Sequence, residues 1–135
     1  MSDTVQFELV SPAKLLLSED VEMVVVPGGE GDFGVLPGHT PMLTTVRPGI
    51  IDIYENDKVA KSIFVVGGFA EVSGERCAVL AEEAIAVEDL NRDDAEARLQ
   101  KANDALTAAD NDVAKQAAER ELRAAEAMVA ACGTN

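Results

Sequence analysis

Tryptophan is absent from this 135-residue chain, which has a single tyrosine, a single histidine and two cysteines. With one imidazole there is no second histidine to complete a metal site, and no metal is expected. Cys77 and Cys132 lie far apart in segments of different character and make no C-x-x-C pair. They read as buried or incidental thiols, which suits a reducing compartment. Basic residues are scarce: 11 Lys plus Arg stand against 25 Asp plus Glu, a formal charge of -14. Neutralising phosphates needs a basic surface, so nucleic-acid binding is excluded as a function class. The same deficit opposes attraction to anionic lipid, and no apolar run approaches the roughly 18 residues of a spanning helix. Direct membrane insertion is not expected; any membrane association must go through another protein. Met1-Ser2-Asp3-Thr4 is neither a basic start before an apolar stretch nor an Arg-rich transit sequence, so the expectation is a chain made and kept in the cytoplasm.

Other absences are local. No proline follows Pro48 and only one glycine follows Gly74, whereas 14 of the 21 alanines come after Leu90. The structural language changes near residue 88. Before it, Val5, Phe7 and Leu9 alternate with Gln6 and Glu8, and short apolar runs follow at Leu15 to Leu17, Val21 to Val26, Ile50 to Tyr54, Ile63 to Val66 and Cys77 to Leu80. Pro-Gly, Gly-Gly, Asn-Asp and Ser-Gly pairs punctuate them, the pattern of a β-sandwich or barrel. A chain this long buries about 68% of its unfolded surface, so the core needs no disulfide or metal.

After Leu90 the period becomes helical. Ala95, Leu99, Ala102 and Leu106 mark one face of a first helix, and Ala118, Leu122, Ala125, Val129 and Cys132 one face of a second. Asn91 reads as an N-cap, Asp110-Asn111-Asp112 as a break that caps the next helix, and Gly133 as a C-terminal cap. Two helices of about 16 and 20 residues, joined by so short a turn, must pair antiparallel. Their seam is alanine, and a buried methyl contributes about 0.8 kcal/mol against roughly 1.5 to 3 for leucine. The hairpin is therefore expected to be held loosely.

Gly29-Glu30-Gly31-Asp32-Phe33-Gly34 matches G-x-G-x-x-G. The phosphate-binding version needs a helix immediately after it, and Pro37, Gly38 and Pro41 forbid one. The glycines read instead as a loop presenting Glu30, Asp32 and Phe33 at one end of the sandwich. His39, within Leu36-Pro37-Gly38-His39-Thr40-Pro41, has no nucleophile near it in sequence. It is a turn histidine held by backbone hydrogen bonds or a partner contact, and both readings stay open. Glu82-Glu83 and Asp93-Asp94 read as surface charge, since the calcium-loop pattern is absent. No catalytic residue is expected.

A Gly-rich β half, a Pro-Gly-His-x-Pro loop and a helical hairpin, in that order, resemble the epsilon subunit of the F-type proton-translocating ATP synthase of bacteria. The resemblance is carried by Gly28 to Leu43 (GGEGDFGVLPGHTPML), by Arg47-Pro48-Gly49 with Ile50-Ile51-Asp52-Ile53, by Val66-Gly67-Gly68-Phe69-Ala70-Glu71-Val72, and by Val79-Leu80-Ala81-Glu82-Glu83-Ala84. It implies a ten-stranded β-sandwich, residues 1–87, followed by an antiparallel two-helix hairpin, residues 88–135. It further implies a noncatalytic rotor subunit of the central stalk, attached to the gamma subunit and the c-subunit ring and turning with both, peripheral on the cytoplasmic side of the inner membrane. By position, the ring-facing acidic residue corresponds to Asp32 and the histidine near the gamma and ring contacts to His39. Glu30, Phe33 and Thr40 complete the partner-binding set. No cofactor is implied.

In many members of that family the hairpin can extend beside gamma toward the alpha and beta subunits and block hydrolysis, and in some it binds ATP through a motif of Ile or Leu, Asp, two variable residues, Arg and Ala. Here the motif reads Leu90-Asn91-Arg92-Asp93-Asp94-Ala95. Asn91 replaces the Asp and Asp94 the Arg, and an acid where a cation should meet phosphate is repulsive. That argues against nucleotide binding. From Glu88 onward 6 basic residues face 11 acidic ones, a net of -5, which also argues against a strong inhibitory role. The alternative from another class is an acidic β-sandwich adaptor that binds some other protein through its hairpin. An enzyme is the weakest reading, because no nucleophile and base pair, metal cluster or phosphate loop is present.

Overall fold

The computed structural model describes residues 3–133, which divide into two compact units between Ala86 and Val87. The first unit contains ten strands: β1 (Val5–Val10), β2 (Leu15–Val21), β3 (Met23–Gly28), β4 (Gly31–Val35), β5 (Met42–Thr45), β6 (Gly49–Glu55), β7 (Lys58–Val66), β8 (Phe69–Val72), β9 (Arg76–Leu80) and β10 (Glu83–Ala86). They form two five-stranded sheets, ordered β2-β1-β9-β8-β5 and β10-β7-β6-β3-β4. β1 and β9 run parallel, and the other neighbours are antiparallel. The expected ten-stranded β-sandwich is the observed fold.

Strand alternation explains its core. Val5, Phe7 and Leu9 of β1, Val24 and Val26 of β3, Ile51 and Ile53 of β6, and Cys77 and Val79 of β9 belong to one buried cluster. Each set has a spacing of two, so one face of each strand turns inward. Burial pushes the Cys77 thiol up to about 12. The thiolate is then not populated near neutrality, so this cysteine is an inert core side chain. Asn56 and Asp57, both at positive φ (55° and 62°), close the β6–β7 hairpin, the backbone a two-residue type I′ turn requires.

Two segments differ from the sequence expectation. The apolar run Val21 to Val26 spans two strands, with Glu22 between them. The Gly-rich run expected as a loop is a hairpin: Gly28 pairs with Gly31, only Gly29 and Glu30 form the turn, and Asp32 and Phe33 lie within β4. β4 is an edge strand, paired on one side only. Fewer ladder contacts are at stake there, which lets glycine occupy an otherwise weak strand position.

The second unit holds a short 3-10 turn, Val87–Asp89, then α1 (Arg92–Ala108) and α2 (Asp112–Cys132). Asn91 Oδ1 accepts from the Asp94 N–H at 3.0 Å, and Asn111 Oδ1 accepts from the Ala114 N–H at 2.8 Å. Both caps fall where the sequence places them. Arg98 Nε donates to Glu121 Oε1 at 2.5 Å, and Arg92 Nη2 lies 3.6 Å from where a Cβ on Gly133 would be. Later residues of α2 thus meet earlier residues of α1, so the pair is antiparallel. Gly133 ends α2 with φ -73° and ψ -11°, a right-handed conformation open to any residue. It is not the left-handed cap that glycine usually supplies.

Candidate functional site

β4 leaves the edge of the second sheet and β5 enters the edge of the first, joined by residues 36–41; the segment Val46 to Pro48 then returns to the second sheet at β6. Both crossings lie where the sheet edges approach, and the sequence-predicted residues sit there. Gly29 N–H donates to the Thr45 carbonyl at 2.8 Å, Arg47 N–H to the Pro27 carbonyl at 2.9 Å, and Gly28 bridges Val46. A Cβ on Gly28 would come within 2.9 Å of the Phe33 ring, so the ring closes over a backbone that only glycine allows.

The expected residues fall into two groups on opposite faces of β4. Phe33 packs against the core and its ring centroid lies 6.5 Å from that of His39. His39 Nδ1 is 2.6 Å from the Thr40 carbonyl oxygen. A carbonyl has no proton to give, so Nδ1 is the donor in this hydrogen bond and Nε2 takes no part in it. The loop is fixed by the His39 N–H donating to the Leu36 carbonyl at 3.1 Å and the Gly38 N–H to the Gly74 carbonyl at 2.7 Å. The structure thus shows the turn-histidine hydrogen bonds, while Nε2 stays available to a partner. Thr40 is exposed beside it.

Asp32 points the other way, because adjacent residues of a strand face opposite sides. Its carboxylate pairs with Arg47, whose Nη1 also donates to the Gly28 carbonyl at 2.6 Å. Glu30 is exposed in the turn and makes no ion pair among the described residues. Arg47 belongs to this group although the sequence reading placed it only in a motif.

Sequence reasoning also missed a surface. On the outer face of the first sheet, Thr45, Phe69, Leu80, Val10 and Leu15 are successive cross-strand partners from β5 to β2. Phe69 is 55%, Leu80 48% and Leu15 56% exposed, and Leu43 in the adjacent row is 70% exposed. Leu43, Phe69, Ala78, Leu80 and Val10 line an open concavity of about 500 Å³, with the Arg76–Glu8 ion pair (2.9 Å) at its margin. Apolar stripes of this extent on a packed domain mark interaction sites. The available signal was that both faces of β8 and β9 carry apolar residues.

In the hairpin, Asn91 and Asp94 are brought together by the helix cap they form, and Arg92 pairs with Glu96 at 3.6 Å. No cation stands at position 94. Arg98 holds the Glu121 carboxyl below its usual range, chiefly through the hydrogen bond and further through its charge. Among the described residues no cluster of three or more His, Cys, Asp or Glu could hold a metal ion, and no helix is long and apolar enough to cross a membrane.

Residues 4–87 match the family described as ATP synthase, Delta/Epsilon chain, beta-sandwich domain. The ATP synthase epsilon chain of Paramagnetospirillum magneticum is 60% identical over 131 residues, covering 97% of this chain and 98% of the relative. That of Rhodospirillum rubrum is 53% identical over the same span, covering 97% and 98%. Among solved structures, one chain of the Euglena gracilis mitochondrial ATP synthase, described as OSCP/F1/c-ring in rotational state 1, superposes with a TM-score of 0.82 at 25% identity, covering 97% of this chain and 82% of that one. One from the Tetrahymena thermophila mitochondrial ATP synthase central stalk and c-ring gives 0.73 at 18% identity, covering 95% and 96%, a likeness of fold. The sandwich with its Gly-rich hairpin, the helical pair that follows it in the chain and this degree of identity across nearly the whole chain place it in the ATP synthase epsilon chain family.

Proposed function

We propose that the chain is a noncatalytic central-stalk subunit of a bacterial F-type ATP synthase, carrying rotation between the c-subunit ring and the gamma subunit. It works from the cytoplasmic side of the inner membrane, held there through the complex. The observation that carries this reading is the apolar stripe across the first sheet. Burying four large side chains against a partner gains on the order of 1.5 to 3 kcal/mol for each one fully covered. A subunit that must not slip under torque needs such a contact, and gamma is its occupant in this reading. His39 and Thr40, with Phe33 beside the His39 ring, form a second partner contact in this reading, while Asp32 on the other face of β4 and Glu30 in the turn face the ring. A closed sandwich suits the task, since many nonlocal strand pairings resist shear.

Residues 1–87 are assigned the docking role and residues 88–135 at most a regulatory one toward the alpha and beta subunits. The hairpin carries no nucleotide in this reading. At the motif positions Asn91 and Asp94 offer a cap and a carboxylate, and neither supplies the cation that phosphate requires.

The test is retention in the complex. Phe69→Asp places a charge on an exposed position and should leave the isolated fold intact. The variant is expected to be lost from the purified ATP synthase, with coupled synthesis falling roughly tenfold or more as a desolvated contact is replaced by a buried charge. Leu43→Asp, on the edge strand, should do the same. Normal retention and synthesis with both variants would overturn the reading.

A further inference from the structure

The segment from Thr45 to Gly49 is where the two sheets are stitched at this corner. Its backbone is bonded to the end of β3 through the Thr45 carbonyl and the Arg47 N–H, and Val46 N–H donates to the Gly68 carbonyl at 3.0 Å. From this anchored backbone the Arg47 side chain reaches across the β3–β4 hairpin. Nη1 takes the carbonyl of Gly28, the last residue of β3, and Nη2 takes Oδ1 of Asp32, the second residue of β4. One planar group therefore grips both strands on either side of the Gly29–Glu30 turn. Only a fork with separate donors holds two acceptors in fixed directions; an ammonium is a point charge on a flexible stem.

Edge hairpins rich in glycine are weakly specified, because glycine surrenders the most conformational freedom on ordering and offers no side chain to pack. This hairpin has Gly28, Gly29, Gly31 and Gly34 in seven residues. Its strands pair with each other, yet β4 has no neighbour on its outer side. The clamp compensates at that place, and it uses one carboxylate oxygen of Asp32 while the other stays unclaimed by Arg47.

We infer that Arg47 is a positioning residue for this corner: by tying Asp32 Oδ1 to the Gly28 carbonyl it fixes the orientation in which the turn and the second oxygen of Asp32 meet a hydrogen-bond donor on the ring. The inference rests on the proposed docking of this corner. It separates two acids that look alike in sequence. Asp32 is held and directional, whereas Glu30 at the tip contributes only charge.

Two measurements on the same variants test it. In the full-length free chain, Arg47→Gln should speed amide exchange at Gly29 through Asp32 by about tenfold or more, the loss of both hydrogen bonds that the guanidinium donates, while amides of β1 and β6 stay unchanged. Asp32→Ala should accelerate exchange less, because the Gly28 carbonyl keeps its Arg47 donor, and the double variant should be no faster than Arg47→Gln alone, because Asp32 acts on the turn only through Arg47. In complexes stripped of the chain and refilled, Arg47→Gln should lower proton pumping per ATP hydrolysed roughly threefold. Arg47→Lys should recover part of it, and Lys61→Gln, which breaks the exposed Lys61–Glu19 pair, should match the wild type. Wild-type exchange at the turn in Arg47→Gln, or a loosened turn with full coupling, would overturn the inference. Failure of the wild-type chain itself to restore coupling would instead overturn the stalk reading and its docking corner, while the exchange data would still decide whether Arg47 holds the hairpin.

Discussion

The sandwich and the hairpin bury different matter. In the sandwich Phe7, Leu9, Ile51, Ile53 and Val79 are completely or almost completely covered, whereas six of the seven buried residues of α1 and α2 are alanine, Met128 being the seventh. A buried methyl contributes about 0.8 kcal/mol and a large aliphatic or aromatic side chain roughly 1.5 to 3. One unit is locked by packing; the other leans on helix propensity, its two Asn caps and a few ion pairs. Alanine is the best helix former, so its helices are locally favoured even where the seam is thin.

The largest test of that contrast is Phe7→Ala. Phe7 is 0% exposed, and its truncation should cost the sandwich about 3 to 5 kcal/mol by denaturant unfolding. A cost below about 1 kcal/mol would mean that packing does not lock this unit. In the hairpin, Ala102→Gly should cost about 1 kcal/mol, set by helix propensity, and amides of α1 should exchange faster than those of β1 and β6 in the parent chain. Equal protection in the two units would erase the distinction. The smallest effect concerns Glu121. Its folded-state pKa lies below its unfolded value, so its contribution is complete above the unfolded value and disappears as pH falls through the folded one. Because the carboxylate is 44% exposed, solvent screening keeps that contribution under about 1 kcal/mol. Glu121→Gln should slightly flatten the acid side of the hairpin's stability profile, and an unchanged profile would leave the Arg98 pair without weight.

What could be read ahead was whatever depends on near neighbours. Asn91 and Asn111 were legible as caps because each accepts from an N–H three residues away. Val5, Phe7 and Leu9 were legible as an inward face because alternation survives in the string. β4 was not, since glycines that suggest a loop are also tolerated on an edge strand, and edges are defined by which strands are missing beside them. Gly133 was placed correctly at the helix end, but its right-handed backbone makes no use of being glycine. At the site, Glu30, Asp32, Phe33, His39 and Thr40 were singled out together, and the fold separates them because Asp32 and Phe33 are adjacent on a strand. Arg47 escaped as a functional group because its partner Asp32 is 15 residues away.

The sequence by itself determined the periods, the place where β grammar gives way to helix, the caps, and the acidic net charge. Where both faces of a strand carry apolar residues, as in β8 and β9, only tertiary structure decided which side is the inside. In Phe69-Ala70-Glu71-Val72 the small Ala70 is buried and the large Phe69 is 55% exposed, the reverse of what side-chain size alone would predict. Alternation tells that neighbours face opposite ways, but the choice between the two faces is made by which sheet comes to lie against the strand. That choice turned Phe69, Leu80 and Leu43 outward into an exposed apolar stripe and brought Arg47 to Asp32.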